Sequence, residues 1–171
     1  RGTVIAVDRG RFTIAIPSGD DEAEQRVIYA VKARELGRKG IVVGDDVDLV
    51  GDLSGDIDNQ ARVVRRLERV STLRRTADDS DPVERVIVAN ATQLAIVTAT
   101  TDPAPSFGLI DRALVAAYDA GVRPLLIVTK TDLVPPDELR RMYAPLDFQM
   151  FEVSDRRPPL ALQQALADEV T

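Results

Sequence analysis

The chain has 171 residues, 44% of them hydrophobic, with 22 basic and 28 acidic side chains, a formal charge of −6, and no cysteine, histidine or tryptophan. Its own side chains therefore supply no disulfide framework, no thiolate nucleophile, no Ser-His-Asp triad and no Cys/His zinc site. Apolar runs such as Leu125-Leu126-Ile127-Val128 fall far below the roughly 20 residues of a membrane helix, so the expectation is a soluble protein with one ordinary domain or two small ones.

Arg1-Gly2-Thr3 leads straight into an apolar pattern with no initiator Met and no signal-peptide core, which suggests a start inside a longer gene product. Short β-branched runs then alternate with turn residues: Thr3 to Val7, Phe12 to Ile16, Arg26 to Val31, Val47 to Val50 and Ala61 to Leu67. Asp8-Arg9-Gly10 marks a tight turn, Ser18-Gly19-Asp20-Asp21 closes the second run, and Val43-Gly44-Asp45-Asp46-Val47 introduces the fourth. Five strands fit a small closed barrel, which hides the edges a small sheet would expose. An OB-type barrel over 1–70 is the expectation, and composition alone leaves an SH3-like barrel open.

Thr76-Ala77-Asp78-Asp79-Ser80-Asp81-Pro82 is polar, aperiodic and ends in Pro, so 71–84 reads as a linker. The charge balance changes across it: residues 1–75 carry 14 basic and 13 acidic groups, residues 76–171 carry 8 and 15.

From 85 onward the period changes. Gln93 to Thr98 is an apolar run; Phe107 to Ala120 places Ile110, Ala113, Leu114, Ala117 and Tyr118 on one helical face, and Gly121 follows as a left-handed cap. Pro124 to Val128 reads as a strand, Pro135-Pro136-Asp137-Glu138 as the start of a helix, Phe148 to Val153 as a strand and Leu160 to Ala167 as a helix. That alternation is the pattern of a parallel α/β sheet, whose ligands bind beyond the carboxyl ends of its strands.

Those ends are polar: Thr129-Lys130-Thr131-Asp132 follows Val128, and Ser154-Asp155 follows Val153. Asp132 can accept two parallel hydrogen bonds from the ring N1–H and exocyclic amine of guanine, a donor pair adenine lacks. The Lys130 stem can lie along a purine ring with its ammonium in water, and backbone N–H groups at Ser154 and Asp155 can donate to the base O6. A Thr or Asp after a strand is also a common helix N-cap, and the tetrapeptide by itself leaves both readings open. No G-x-x-x-x-G-K-[ST] loop occurs: Lys32, Lys39 and Lys130 are the only lysines, and none follows Gly.

The chain resembles the N-terminal half of the ribosome small-subunit-dependent GTPase A family, circularly permuted GTPases in which an OB-fold domain precedes a G domain that begins with its base-recognition motifs. The resemblance rests on Gly2-Thr3-Val4, Val43-Gly44-Asp45-Asp46-Val47, Arg69-Val70-Ser71-Thr72-Leu73-Arg74-Arg75, Val88-Ala89-Asn90-Ala91-Thr92-Gln93, Ile110-Asp111-Arg112 and Thr129-Lys130-Thr131-Asp132-Leu133. It implies a partial G domain over 85–171, GTP or GDP with Mg²⁺ as ligand in the whole protein, rRNA of the small ribosomal subunit as partner, and a cytoplasmic location without membrane contact. It implies a guanine site at Thr129, Lys130, Thr131, Asp132, Ser154 and Asp155. The family's usual Asn-Lys-x-Asp has Thr129 in place of Asn, weakening a brace to the phosphate loop, and its usual Ser-Ala appears as Ser154-Asp155, whose carboxylate should turn away from the base oxygen. The P-loop, the switch segments and a zinc domain would follow Thr171, so these 171 residues alone are expected not to hydrolyse GTP.

Arg62, Arg65, Arg66, Arg69, Arg74 and Arg75, opposed only by Glu68 between 61 and 75, are candidate rRNA phosphate contacts. With only Phe12 and Tyr29 as aromatics in 1–75, phosphate and shape contacts are expected rather than base stacking. The rival readings are a non-enzymatic two-domain RNA-binding or adaptor protein, and a small-molecule enzyme using Asp102 and Asp111.

Overall fold

The computed structural model describes residues 1–18, 21–36, 40–56, 60–78 and 81–171. They form two compact units, Arg1–Asn90 and Ala91–Thr171.

In the first unit, β1 (Gly2–Asp8), β2 (Arg11–Ser18), β3 (Asp21–Lys32), β4 (Asp46–Val50) and β5 (Ala61–Arg66) close into a barrel in the order β1-β2-β3-β5-β4. The β3–β5 pair is parallel, while β1–β2, β2–β3, β4–β5 and β1–β4 are antiparallel. This is the OB-type connection; the SH3-like alternative falls, because β5 returns to lie between β3 and β4. A one-turn 3-10 helix, Arg34–Leu36, stands between β3 and β4. Alternation builds the core: Phe12, Ile14 and Ile16 of β2 point inward with Val4, Ile28, Ala30, Ile41, Val47, Ala61 and Val63. The β1–β2 turn, Arg9-Gly10, has φ 45° and 86° with Asp8 opposite Arg11, the two-residue geometry that matches strand twist. Of the expected turn Ser18–Asp21, Gly19 and Asp20 lie outside the described residues.

The expected linker at 71–84 is a correction. β6 (Thr72–Asp78) and β7 (Asp81–Ala89) pair antiparallel, from Thr72 opposite Ala89 to Asp78 opposite Asp81, and the first unit runs on through Asn90 rather than ending at the polar run; Asp79 and Ser80 lie outside the described residues. A two-stranded ribbon held by backbone bonds needs no apolar alternation, and by itself it is marginal. Here its base is tied to the barrel. Ala89 N–H donates to the Val43 carbonyl (2.9 Å), Asn90 N–H to Ser71 (2.9 Å), and Gly44 N–H to Val4 (2.8 Å). The Asn90 amide donates to the Gly44 carbonyl (2.8 Å) and accepts from Val70 N–H (2.8 Å). Gly44 has φ +86°, and a Cβ there would sit 1.8 Å from the Ala89 carbonyl oxygen, so only glycine permits this approach.

Under that joint lies Asp45, with no exposed surface. The Arg69 fork grips it through Nε (2.6 Å) and Nη2 (2.8 Å), Val42 N–H donates to it (2.8 Å), and Arg66 stands at 3.8 Å. Three segments that carried the family resemblance, 43–47, 69–71 and 88–90, thus meet as one structural knot.

The second unit alternates β8 (Gln93–Ala99), α1 (Phe107–Asp119), β9 (Arg123–Thr129), α2 (Asp137–Tyr143), β10 (Gln149–Val153) and α3 (Leu160–Leu166). Its sheet is wholly parallel, in the order β10-β9-β8. Leu126 and Val128 pack with Ile96, Ile110, Leu114, Leu139 and Tyr143, while Leu125 and Ile127 pack with Phe151, Val153 and Leu162, so β9 is covered on both faces. Helix α1 ends with Gly121 at φ +65°, Gly121 N–H bonding Tyr118 and Val122 N–H bonding Ala117, the paired bonds of a Schellman cap. Tyr118, expected on the buried face, is 52% exposed: at i+8 from Ile110 it stands about 80° round the helix, at the edge of the stripe.

Candidate functional site

The three strand tips of the second unit converge on one loop. At the end of β9, Thr129 turns its hydroxyl into the sheet to donate to the Thr98 carbonyl (3.1 Å), so it braces β8 and does not reach outward. Lys130 takes a left-handed backbone, φ +59°, uncommon for a side chain with a Cβ. Its carbonyl accepts from the Thr100 hydroxyl (2.8 Å) and from Leu133 N–H (3.0 Å), and its ammonium donates to the Asp102 carbonyl. Thr100 N–H also donates to the Thr129 carbonyl (3.1 Å).

From the other side, Asp155 N–H donates to Asp132 Oδ1 (3.0 Å), and Thr131 N–H approaches the Val153 carbonyl (3.4 Å). Ser154 to Arg157 forms a tight turn, closed by Arg157 N–H to Ser154 carbonyl (2.8 Å), with Asp155 at φ 47° and Arg156 at φ 57°. That turn aims the Asp155 amide at Asp132 and sends the Asp155 carboxylate toward Arg157, 3.4 Å away. Asp132, Ser154 and Asp155 are exposed, and Thr129, Lys130 and Thr131 half-buried. All six candidate base-site residues therefore lie at the tips of β9 and β10, with the Asp132 carboxylate and the Asp155 N–H at their centre.

Thr100 and the Asp102 carbonyl were missed by the sequence reading. The signal was there: Thr100-Thr101-Asp102-Pro103 is a polar run directly after a parallel strand, and the strand-tip rule applied to β9 and β10 applies equally to β8.

The two carboxylates of the small-molecule-enzyme reading have separate tasks. Asp111 accepts from the Tyr143 hydroxyl (2.9 Å), within an aromatic cluster of Phe107, Tyr143 and Phe148, and Asp102 contributes its backbone carbonyl to Lys130. Burial, then the hydrogen bond to Asp111 and its negative charge, push the Tyr143 phenol up to about 12. Among the described residues no group of three or more Asp or Glu side chains is placed to hold a metal ion.

The six candidate arginines divide. Arg69 is committed to Asp45, whose buried charge demands a partner, and Arg66, with only 24% of its side chain exposed, stands beside the same carboxylate. Arg65 pairs with Asp48, whose carboxyl is held below the usual range first by that hydrogen bond. Arg62, Arg74 and Arg75 are exposed. Arg62 joins Lys32 and Arg34, which were not among the candidates, around a cavity of ≈ 640 Å³ also lined by Val31, Ala33, Val50 and Val64. Sequence reading missed this trio because Lys32 and Arg34, at the end of β3 and in the following 3-10 turn, meet Arg62 of β5 only through the pairing of β3 with β5.

Comparison with known proteins decides the family. Residues 66–171 match the model of the RsgA GTPase family. The chain belongs to that family. A small ribosomal subunit biogenesis GTPase RsgA of Nitrosomonas europaea is 33% identical over 160 residues, covering 90% of this chain and 46% of the relative. A protein of the same name from Nitrosospira multiformis is 33% identical over 177 residues, covering 100% and 51%. The chain thus spans about half the length of these RsgA relatives. Its fold matches the crystal structure of YjeQ from Thermotoga maritima, with TM-score 0.68 and 21% identity over 98% of this chain and 57% of that one. It also matches YloQ, described as a circularly permuted GTPase, with TM-score 0.66 and 19% identity over 98% and 56%. The RsgA relationship and the barrel-plus-parallel-sheet fold agree.

Proposed function

We propose that these residues are the RNA-docking and base-reading part of a cytoplasmic GTPase that acts in small ribosomal subunit biogenesis, as the relatives are named. The observation that carries the base site is the Asp155 N–H to Asp132 Oδ1 bond, because it places a carboxylate and an amide donor together at the tips of two adjacent parallel strands. Guanine would present N1–H and its amine to Asp132 and its O6 to the Asp155 N–H, which exchanges its carboxylate partner for the base oxygen. Lys130 would lie along the ring. Thr131 and Ser154 shape the two turns, and Thr129 ties the loop to β8.

In this reading the Asp155 carboxylate, drawn toward Arg157, leaves O6 unopposed. Hydrolysis of GTP in the whole protein would use Mg²⁺ and a phosphate-binding loop. Among the described residues no group of three or more carboxylates is placed for the ion, and the sequence has no Gly-Lys pair; the part of residues 1–171 in that activity would be base recognition. On the barrel, the Arg62, Lys32 and Arg34 groove and the exposed Arg74 and Arg75 are the proposed rRNA phosphate contacts, with Arg65 able to exchange Asp48 for phosphate.

The test is an NMR titration of the 171-residue chain with GDP and with ADP at one salt concentration, repeated with Asp132→Ala. Shifts confined to the 129–132 and 154–157 loops, stronger for GDP and lost in the variant, support the reading. Equal response to both nucleotides, or a variant that binds as well as the parent, rejects it in favour of an RNA-binding adaptor.

A further inference from the structure

We propose that Thr100 is a positioning residue for base recognition, bracing the Lys130 turn from the end of β8 beside the Thr129 side chain, which bonds β8 itself. This rests on the reading of Asp132 as the guanine contact. The base-reading tetrapeptide must hold Lys130 in a left-handed backbone, φ +59°, a conformation disfavoured for residues with a Cβ and kept only where neighbours enforce it.

The neighbour that enforces it is Thr100, which bonds the loop twice: its N–H to the Thr129 carbonyl (3.1 Å) and its hydroxyl to the Lys130 carbonyl (2.8 Å). The same carbonyl accepts Leu133 N–H (3.0 Å), so a single oxygen fixes the turn that presents Asp132. Two residues on, the Asp102 carbonyl receives the Lys130 ammonium. The segment after β8 thereby sets both the backbone and the side chain of the residue that would lie along the base. Asp132 itself is anchored from the opposite side by Asp155 N–H. Removing the Thr100 hydroxyl leaves that second anchor in place, so Asp132 loses its angle to the base rather than its place in the fold.

The backbone N–H bond survives any substitution except proline, so side-chain variants isolate the hydroxyl. Thr100→Val keeps the branched shape and removes the donor; Thr100→Ser keeps the donor and removes a methyl. One net hydrogen bond is worth about 1 kcal/mol, or roughly a 2- to 10-fold effect on an equilibrium.

The experiment measures GDP and ADP affinities of the 171-residue chain and both variants by NMR titration, with thermal melts alongside. The expected result is a GDP-to-ADP affinity ratio that falls about 2- to 10-fold in Thr100→Val and stays at the parent value in Thr100→Ser. A purely structural role would shift the melt and scale both nucleotides alike. An unchanged ratio in folded Thr100→Val overturns the proposal, as does a lowered ratio in Thr100→Ser. Should the valine variant unfold, Thr100→Ala provides the hydroxyl deletion, with the same two outcomes. If the parent chain itself shows no preference for GDP, the guanine reading fails; a parent preference that survives the loss of the hydroxyl overturns only the role of Thr100.

Discussion

Replacing Arg69 by Met removes both charged hydrogen bonds from a carboxylate that has no exposed surface. Asp45 would keep one backbone donor, Val42 N–H at 2.8 Å, and the Arg66 guanidinium at 3.8 Å. Breaking a buried ion pair from one side costs about 3–5 kcal/mol; the residual partners and the 15% exposure of the Arg69 side chain place the expected loss near the lower bound, about 3 kcal/mol. For a domain of this size that is a fall in melting temperature of roughly 12–24 °C. Asp45→Asn/Arg69→Met should recover part of the loss, since the amide oxygen still accepts from Val42 N–H and no buried charge is left alone. Hydrogen exchange at the Ile14 and Ile28 amides, in the barrel core, reads the stability of the first unit separately from the second. A loss below about 1 kcal/mol in Arg69→Met, or a double variant less stable than the single one, would refute the assignment of Arg69 to the fold.

Two other outcomes follow from the same geometry. One tyrosine should titrate near pH 12, seen in the tyrosinate absorbance and missing in Tyr143→Phe; because the folded value is raised above the ordinary 10.0, the stability it contributes is intact below pH 10 and is lost as pH rises through 12. Binding of a small-subunit rRNA fragment should weaken with salt, and Arg34→Ala/Arg62→Ala should reduce the log–log slope by about 2, whereas an unchanged slope would remove the groove from the RNA interface.

The second unit was legible because its strands and helices differ in period. The buried run at 123–129 and the 3.6-residue stripe of α1 each fix a face, and Gly121 ends the helix by local chemistry alone. The ribbon at 72–89 was not legible, since its pairing is set by backbone bonds and by a joint at Gly44 and Asn90 whose partners lie up to 46 residues away. Arg69 misled for a related reason: beside Arg65 and Arg66 it reads as one more surface cation, and only the burial of Asp45 shows where its charge goes. At the base site, Lys130 and Asp132 were visible as a strand tip. The bracing by Thr100 was not, because it depends on β8 lying beside β9 in the sheet.

The most direct test of guanine recognition is to change the acceptor pair that Asp132 presents. Asp132→Asn turns one acceptor into a donor, so its edge complements xanthine, which carries an N1–H and a carbonyl where guanine carries an N1–H and an amine. Competition titrations of the parent and variant chains with GDP and xanthosine diphosphate should show preference for GDP in the parent and for the xanthine nucleotide in the variant, each by about 5- to 150-fold for one bidentate pair. A variant that keeps its preference for GDP, or a parent indifferent between the two, would contradict base reading by Asp132.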